Sequence, residues 1–294
     1  MGIFFVLLLY FFNYKFKEKI KMVQKVFYNS SLPRAGSTLI QNIIAQNPDI
    51  YCSPTSGLYG MIDAARIIYS QSPEFKAQNE KEMEEAYKGF LKSATYGYYN
   101  NITDKPFVID KSRAWASEYN FLQFYEEKPK IISMVRDLRG VFASLEKKYR
   151  KNPQLNLGLT DWSQLRGTTL HKRLDVYATQ PPIGPAVDRI HESILSGQHQ
   201  NILFIRFEDL CQNPNEELIK IYNYLEIPHF QHDFDNVEQL TLEDDKVHGV
   251  FGDHIIRQKV ELPPQDYFEI LGEEGCNMIT NAYPWFYESF GYQI

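Results

Sequence analysis

Short apolar runs alternate with segments of helical periodicity along most of the chain. The runs predict four strands, at residues 25–31, 107–110, 130–136 and 201–207. Apolar positions three and four residues apart predict helices at 37–46, 62–69, 80–93, 138–149 and 215–225. Strands that alternate with helices in this way are typical of βαβ units, so the pattern predicts an α/β fold with a central, mainly parallel sheet flanked by helices.

The remaining segments have weaker patterns. Residues 152–185 hold several prolines and glycines and are predicted to be irregular in part. Residues 244–264 are polar and predict a long loop, and the aromatic end at 283–292 is expected to pack onto the body of the protein. We expect residues 23–294 to form a single domain, with residues 1–22 as an extension.

The first residues contain an apolar run at 3–12, followed by Lys15, Lys17, Lys19 and Lys21. A run of ten residues is shorter than the roughly 20 that span a bilayer, and it lacks the preceding charge and small cleavage-site residues of a secretory signal. An extension that is disordered or packs on the domain is favoured, and Met22 is an alternative start. The other reading is a weak membrane tether through residues 3–21, with the lysines on an anionic surface.

Composition narrows the class of protein. The chain has 294 residues, 44% apolar and 23% charged, with a net charge of −6, which is typical of a soluble globular protein and argues against a general nucleic-acid binder. It does not exclude a local basic pocket, because pockets depend on where charges lie. The three cysteines, Cys52, Cys211 and Cys276, are widely spaced and predict free thiols in a reducing compartment, hence the cytoplasm.

The first predicted strand runs into the turn Pro33, Arg34, Ala35, Gly36 and then into the helix that begins Ser37, Thr38, Leu39. A helix that starts after a glycine turn offers backbone N–H groups to an anion, and an arginine adds a fork suited to phosphate-like oxygens. The pattern GxxxxGK[ST] is absent, so hydrolysis of ATP or GTP is not supported. The alternative is an ordinary helix start with a surface arginine.

Two further strand ends carry groups that bind anions. Lys111 follows the strand at 107–110, and Arg136 ends the next strand, with Ser144 eight residues later in the following helix. Taken singly, Lys111 could pair with Asp110 and Arg136 with a neighbouring carboxylate. Together the three ends predict two phosphate clamps on one sheet, and so a nucleotide that carries phosphates on both its 5′ and its 3′ side.

The sequence resembles sulfotransferases that use 3′-phosphoadenosine 5′-phosphosulfate (PAPS). LPRAGSTLI resembles their 5′-phosphosulfate loop, VRDLRGVFASL their 3′-phosphate motif, and VIDKSRAW the lysine segment of the heparan-type and tyrosylprotein members. FIRFEDLCQNPNEELIKIYNYLEIP is similar to the late strand and helix of the family, so the resemblance covers about residues 23–292. It implies a three-layer P-loop-like fold and PAPS as donor, with 3′-phosphoadenosine 5′-phosphate (PAP) as product.

The resemblance also implies roles for particular residues. The turn Pro33, Arg34, Ala35, Gly36, Ser37, Thr38 and Leu39 would hold the 5′-phosphosulfate, with Arg34 and Lys111 as catalytic cations. Arg136 and Ser144 would bind the 3′-phosphate, and Phe207 would touch the adenine region. Residues 249–259 match a closing loop, in which Lys259, with the neighbouring His248, would contact the donor. Sulfuryl transfer does not strictly need a metal, and none is predicted.

A general base is missing from the motifs. The glutamate of tyrosylprotein members falls on Thr55, and the histidine of cytosolic members has no evident match, which leaves Asp63, Asp110 and His171 as candidates. The predicted function is sulfuryl transfer from PAPS to a hydroxyl or amine on a small molecule, carbohydrate or peptide. The alternative is a catalytically silent nucleotide-binding module with the same fold, and a P-loop kinase is disfavoured because GK[ST] is absent.

Overall fold

Five parallel strands form the centre of the protein. The computed structural model describes residues 22–151, 165–247 and 254–294. The strands are β1 Lys25–Asn29, β2 Ile50–Thr55, β3 Phe107–Lys111, β4 Ile131–Val135 and β5 Ile202–Arg206, in the order β2-β3-β1-β4-β5. The four predicted strands are all present, and the parallel α/β fold is confirmed.

Helices of the described residues cover both faces of this sheet. They are α1 Ser37–Ile44, α2 Leu58–Gln71, α3 Pro73–Lys76, α4 Glu80–Asn100, α5 Tyr119–Tyr125, α6 Leu138–Lys151, α7 Leu170–Thr179, α8 Gly184–Leu195, α9 Phe207–Gln212, α10 Pro214–Leu225, α11 Tyr267–Ala282 and α12 Pro284–Phe290. Short 3₁₀ turns lie at Trp115–Ser117 and Gln198–Asn201. The five predicted helices are found, although α2 starts earlier and α4 ends later than predicted.

Two hydrophobic cores lie on opposite faces of the sheet, because successive side chains of a strand point to opposite sides. Val26 and Tyr28 pack with α2, α4 and α5, whereas Phe27 packs on the other face with α1, α6 and the C-terminal helices. The predicted packing of residues 283–292 is confirmed, since Phe286 and Tyr287 are fully buried. The result is a three-layer arrangement of helices, sheet and helices.

Three predictions concern the remaining segments. One is wrong, one is confirmed for the described residues, and one falls outside them. Residues 165–185 are more regular than predicted, since α7 and the start of α8 lie there, and residues 152–164 lie outside the described part of the chain. The described parts of 244–264 contain no helix or strand, as predicted. The extension at residues 1–21 also lies outside the described residues, so the predicted division at residue 22 stays a prediction.

The strand order brings the predicted motifs together. β1 pairs with β3 on one side, where Asn29 lies opposite Lys111, and with β4 on the other, where Tyr28 lies opposite Ile131. The chain therefore places β2 at the edge, inserts β3 between β2 and β1, and then crosses to the other side of β1 for β4 and β5. Ligands of open α/β sheets bind beyond the carboxyl ends of the strands at such a point.

Candidate active site

The turn after β1 leaves the first turn of α1 open toward a cavity. Gly36 precedes the helix with φ 83°, in the left-handed region, and no described side chain caps the helix start. A Cβ on Gly36 would lie 2.6 Å from Cδ2 of Phe207, so glycine is required both for the backbone angle and for this close contact. The backbone N–H groups at the start of α1 carry the positive end of the helix dipole.

The second motif lies directly beside this turn. Arg136 follows β4, and its Nη1 donates a hydrogen bond of 3.1 Å to the carbonyl oxygen of Arg34. The Arg136 guanidinium also lies 5.0 Å from the centre of the Phe207 ring. Gly140, in the first turn of α6, leaves room for the guanidinium, since a Cβ there would lie 3.0 Å from Arg136 Nε. The Arg34 Nε donates to Ser144 Oγ at 3.1 Å. The two predicted clamps are thus in contact with one another in the folded protein.

Arg136 has an incompletely satisfied guanidinium. Its Nε is buried and makes no hydrogen bond to any described residue. Burial lowers the pKa of Arg136, and the neighbouring Glu208 carboxylate offsets only part of that effect. A buried cation with an unused donor is favourable only when an anion is available to it.

A cavity of about 510 Å³ lies over both motifs. Among the described residues, its lining carries six cationic side chains and two carboxylates: Arg34, Arg113, Arg136, Lys147, Arg257, Lys259, Glu261 and Asp266. The predicted residues Pro33, Gly36, Ser37, Thr38, Leu39, Ser144 and Phe207 line it as well. In a chain with a net charge of −6, this local excess of positive charge favours an anionic ligand.

Lys111 lies next to the turn, in a buried ion pair. Its Nζ is 2.7 Å from Oε1 of Glu243 and 3.5 Å from Oγ1 of Thr38. The backbone N–H of Thr55 donates to the same Glu243 oxygen at 2.9 Å. Burial opposes ionisation of Glu243, but Lys111 and the donors from Thr55 outweigh it and lower the pKa of Glu243 to about 2. Lys111 does not line the cavity and reaches the turn through its contact with Thr38.

The other predicted residues lie in different places. Ala35 is buried beneath the turn, and Lys259 lines the cavity while its Nζ lies 2.9 Å from Oδ1 of the exposed Asp235. His248 lies outside the described residues.

The three base candidates are not brought to the cavity. Asp63 pairs with Arg66 on α2, and His171 lies 3.0 Å from Glu274 on the surface. Asp110 is fully buried, accepts a bond of 2.6 Å from Trp115 Nε1, and has its pKa raised by burial.

Sequence reasoning missed several polar residues at the site. Arg113 and His254 line the cavity, and Glu243 and Asp245 contact the His254 ring. Arg113 lies within the lysine segment VIDKSRAW, two residues after Lys111, so its charge was a usable signal. Glu243 and Asp245 belong to a polar, aperiodic stretch of sequence that gave no indication of where it folds. His254 lies within residues 249–259, which the resemblance assigned to a closing loop without naming this residue.

Neither a metal-binding cluster nor a membrane-spanning helix is found among the described residues. No group of three or more His, Cys, Asp and Glu side chains there could hold a metal ion. No described helix has the length and apolar character to cross a membrane, and the run at 3–12 lies outside that part of the chain.

Comparison with known proteins identifies the family. The sequence model of the sulfotransferase domain matches residues 29–266, and no curated protein sequence matches the chain. Similar solved structures include the sulfotransferase domain of the Synechococcus PCC 7002 olefin synthase, with 16% identity, a TM-score of 0.48, and coverage of 93% of this chain and 97% of that chain. Mouse sulfotransferase SULT7A1 complexed with PAP is 14% identical, with a TM-score of 0.49 and coverage of 92% and 89%. Because the family match spans most of the sequence, the chain belongs to the sulfotransferase domain family.

Proposed function

We propose that the protein transfers a sulfuryl group from PAPS to a hydroxyl or amine acceptor. The observation that carries this proposal is the meeting of two anion-binding motifs, after the neighbouring strands β1 and β4, on one cationic cavity. A donor with phosphates on both sides of its ribose matches two such motifs, whereas a single phosphate would use only one.

The residues beside β4 fit the 3′-phosphate. The buried Nε of Arg136 lacks a protein acceptor among the described residues, and a phosphate oxygen would supply one. Ser144 also lines the cavity, next to the turn, because its Oγ accepts a hydrogen bond from Arg34 Nε. Its hydroxyl can donate to a second oxygen of the same phosphate. Phe207 lines the cavity against both Gly36 and Arg136, so it offers an aromatic surface between the two motifs.

The residues after β1 fit the 5′ side. Ser37, Thr38 and Leu39 begin α1, so their backbone N–H groups and two hydroxyls face an oxyanion at the helix start. Arg34 lies at the same turn and adds full positive charge. Lys111 adds further charge behind Thr38 and, through that contact, holds its hydroxyl in place.

When bound, PAPS supplies a sulfuryl group joined to a phosphate that departs as an anion. The protein's task is to orient the donor and to stabilise the negative charge that grows on that phosphate. Arg34 and the amides of α1 are placed to do this, and Lys111 supports them.

Sulfur-labelled PAPS tests the proposal. The protein is incubated with the donor and a panel of alcohols, phenols, sugars, amines and a tyrosine-containing peptide, beside Arg34→Ala and the matched variant Arg206→Ala. Arg206 also ends a strand of the sheet, but it lies outside this cavity. Labelled product with the wild type and Arg206→Ala, and a loss of at least tenfold with Arg34→Ala, is expected. PAP binding without product on any acceptor would favour the silent module, and no binding of PAP would refute both.

A further inference from the structure

Arg113 lines the cavity from the segment that follows β3. Its backbone carbonyl accepts a hydrogen bond of 2.9 Å from Ser30 Oγ, and that hydroxyl oxygen accepts another of 2.9 Å from the backbone N–H of Ala116. Ala114, Trp115 and Ala116 are buried, whereas Arg113 is exposed to the cavity. A fixed backbone therefore presents one long cationic side chain to the site.

The other cationic side chains of the described lining have anionic partners or are assigned to the donor. Three of them form ion pairs with carboxylates: Lys147 with Asp266, Arg257 with Glu261, and Lys259 with Asp235. Arg34 and Arg136 hold the two phosphate ends of PAPS under the proposed function. The Arg113 guanidinium, by contrast, makes no hydrogen bond or ion pair with any described residue.

The charges around Arg113 favour an anion beside it. Desolvation by the cavity walls lowers the pKa of Arg113, and the Glu243 carboxylate opposes that effect. The positive charges of Arg189 and Arg34 lower it further. Arg189 belongs to α8, which packs against the 3₁₀ turn at 115–117. Glu243 is already held by Lys111, whose Nζ lies 2.7 Å from its Oε1, so a bound anion would offset the repulsion between the arginines.

The strand order separates Arg113 from the 3′-phosphate motif. β1 lies between β3 and β4, so Arg113 follows the strand on one side of the phosphosulfate turn and Arg136 follows the strand on the other. Under the proposed function, the nucleoside extends from the turn toward β4. In an in-line transfer the acceptor approaches opposite the departing phosphate, and the side of the turn next to β3 is the one that the nucleoside leaves open.

We propose that Arg113 binds an oxyanion on the acceptor, and hence that the acceptor is a hydroxyl or amine compound that also carries a carboxylate or a phosphate. A planar guanidinium can donate two parallel hydrogen bonds to either group, which orients the bound molecule as well as holding it. The acceptor is then fixed at one end beside β3 while its hydroxyl or amine faces the sulfuryl group. This inference rests on the proposed function and specifies its acceptor.

Matched pairs of acceptors test the assignment. A phenol pair, an amine pair and an alcohol pair are compared: 4-hydroxyphenylacetate with its amide, 4-(aminomethyl)benzoate with its amide, and glycerol 3-phosphate with glycerol. Each carboxylate has nearly the same shape as its amide and differs from it in charge. For the wild type, kcat/KM should be about 10- to 150-fold higher for the anionic member of at least one pair, the range for one charged hydrogen bond. The pair that shows this preference identifies the oxyanion as a carboxylate or a phosphate.

Substitutions of Arg113 separate the recognition of charge from a structural role. Arg113→Gln should remove the preference and leave kcat/KM for the neutral members within about threefold of wild type, whereas a structural role would lower both members equally. Arg113→Lys should restore part of the preference, since it keeps the charge without the fork. Arg206→Gln changes an arginine outside the cavity and should keep the wild-type preference. The Kd of Arg113→Gln for PAP, measured by calorimetric titration, should stay within about threefold of wild type.

The results distinguish a failure of this assignment from a failure of the proposed function. Equal kcat/KM for anionic and neutral members in the wild type, or a preference that survives Arg113→Gln, would overturn the role of Arg113 while transfer from PAPS stands. A rise in the Kd for PAP as large as that expected for Arg136→Ala would place Arg113 at the donor and overturn that role too. A wild type that transfers sulfur to no acceptor would overturn the proposed function and this inference with it.

Discussion

Arg136 offers the sharpest test of how the donor is held. Arg136→Ala removes a guanidinium whose Nε is buried without a hydrogen-bond partner among the described residues and whose Nη1 donates to the Arg34 carbonyl oxygen at 3.1 Å. It also removes the contact with the Phe207 ring, 5.0 Å away. The substitution therefore removes a donor for phosphate and also the hydrogen bond that holds the turn after β1.

Arg136→Ala is expected to weaken PAP binding more than it changes the free energy of unfolding. A hydrogen bond between a charged donor and a phosphate contributes about 1.5–3 kcal/mol, so the Kd for PAP should rise about 10- to 150-fold. For folding, losing the bond to Arg34 costs about 0.5–1.5 kcal/mol, and relief of the buried, unbonded Nε returns about 1–3 kcal/mol. Loss of the ring contact costs about 0.5–1 kcal/mol more. The free energy of unfolding should therefore change by no more than about 1–2 kcal/mol.

Calorimetric titration with PAP and denaturant unfolding measure the two quantities separately. Arg206→Ala is the matched control, because Arg206 is the last residue of β5 whereas Arg136 directly follows β4, and Arg206 does not line the cavity. Its Kd for PAP should stay within about twofold of wild type. A Kd for Arg136→Ala equal to that of the control, in a protein that remains folded, would refute the placement of the 3′-phosphate at Arg136.

Three further changes test other contacts. Gly36→Ala should lower the free energy of unfolding by about 1–3 kcal/mol, because φ is 83° and the new Cβ would meet the Phe207 ring at 2.6 Å; unchanged denaturant midpoints would contradict this. Folding lowers the pKa of Glu243 from 4.5 to about 2, so its carboxylate stabilises the fold above pH 4.5 and loses that contribution as the pH falls from 4.5 to 2. Burial lowers the pKa of its partner Lys111 and opposes part of this gain. Lys111→Met should therefore destabilise the protein by about 3–5 kcal/mol at pH 7, with a difference from wild type that shrinks as the pH falls toward 3; a constant difference would argue against the ion pair. Ser144→Ala should weaken PAP binding by about 0.5–1.5 kcal/mol, about 2- to 13-fold in titration, and wild-type affinity would remove Ser144 from the site.

The fold and both anion-binding motifs were predictable because their signals are local. A buried strand, a glycine turn and a helix start follow one another within 20 residues of sequence at β1, and β4 is followed by α6 with only Arg136 and Asp137 between them. β2 was missed for a physical reason. It is an edge strand that contains Pro54, and edge strands need neither a continuous apolar run nor every backbone N–H.

The polar wall of the cavity was not predictable, because it depends on contacts between distant segments. Asn42 in α1 accepts hydrogen bonds from the backbone N–H groups of Leu240 and Thr241, at 2.6 and 2.8 Å, and so fixes the segment that carries Glu243. Nothing in the periodicity of that segment indicates this attachment. The base candidates chosen from sequence, Asp63, Asp110 and His171, were chosen without this information, and each lies away from the cavity lining.

Helices α7 and α8 were missed because the prolines near them were taken as signs of irregular chain. Pro181 and Pro182 lie in the short connection between the two helices, and Pro185 lies in the first turn of α8. The first turn of a helix tolerates proline, since its N–H has no partner within the helix. The position of a proline relative to helix ends therefore mattered more than the number of prolines.

A crystal structure of the protein with PAP tests the central claim most directly. We expect the 5′-phosphate within about 3 Å of the backbone N–H groups of Ser37, Thr38 and Leu39, and the 3′-phosphate at the same range from Arg136 and Ser144. A PAP molecule bound outside this cavity, or one whose 3′-phosphate contacts neither Arg136 nor Ser144, would contradict the account.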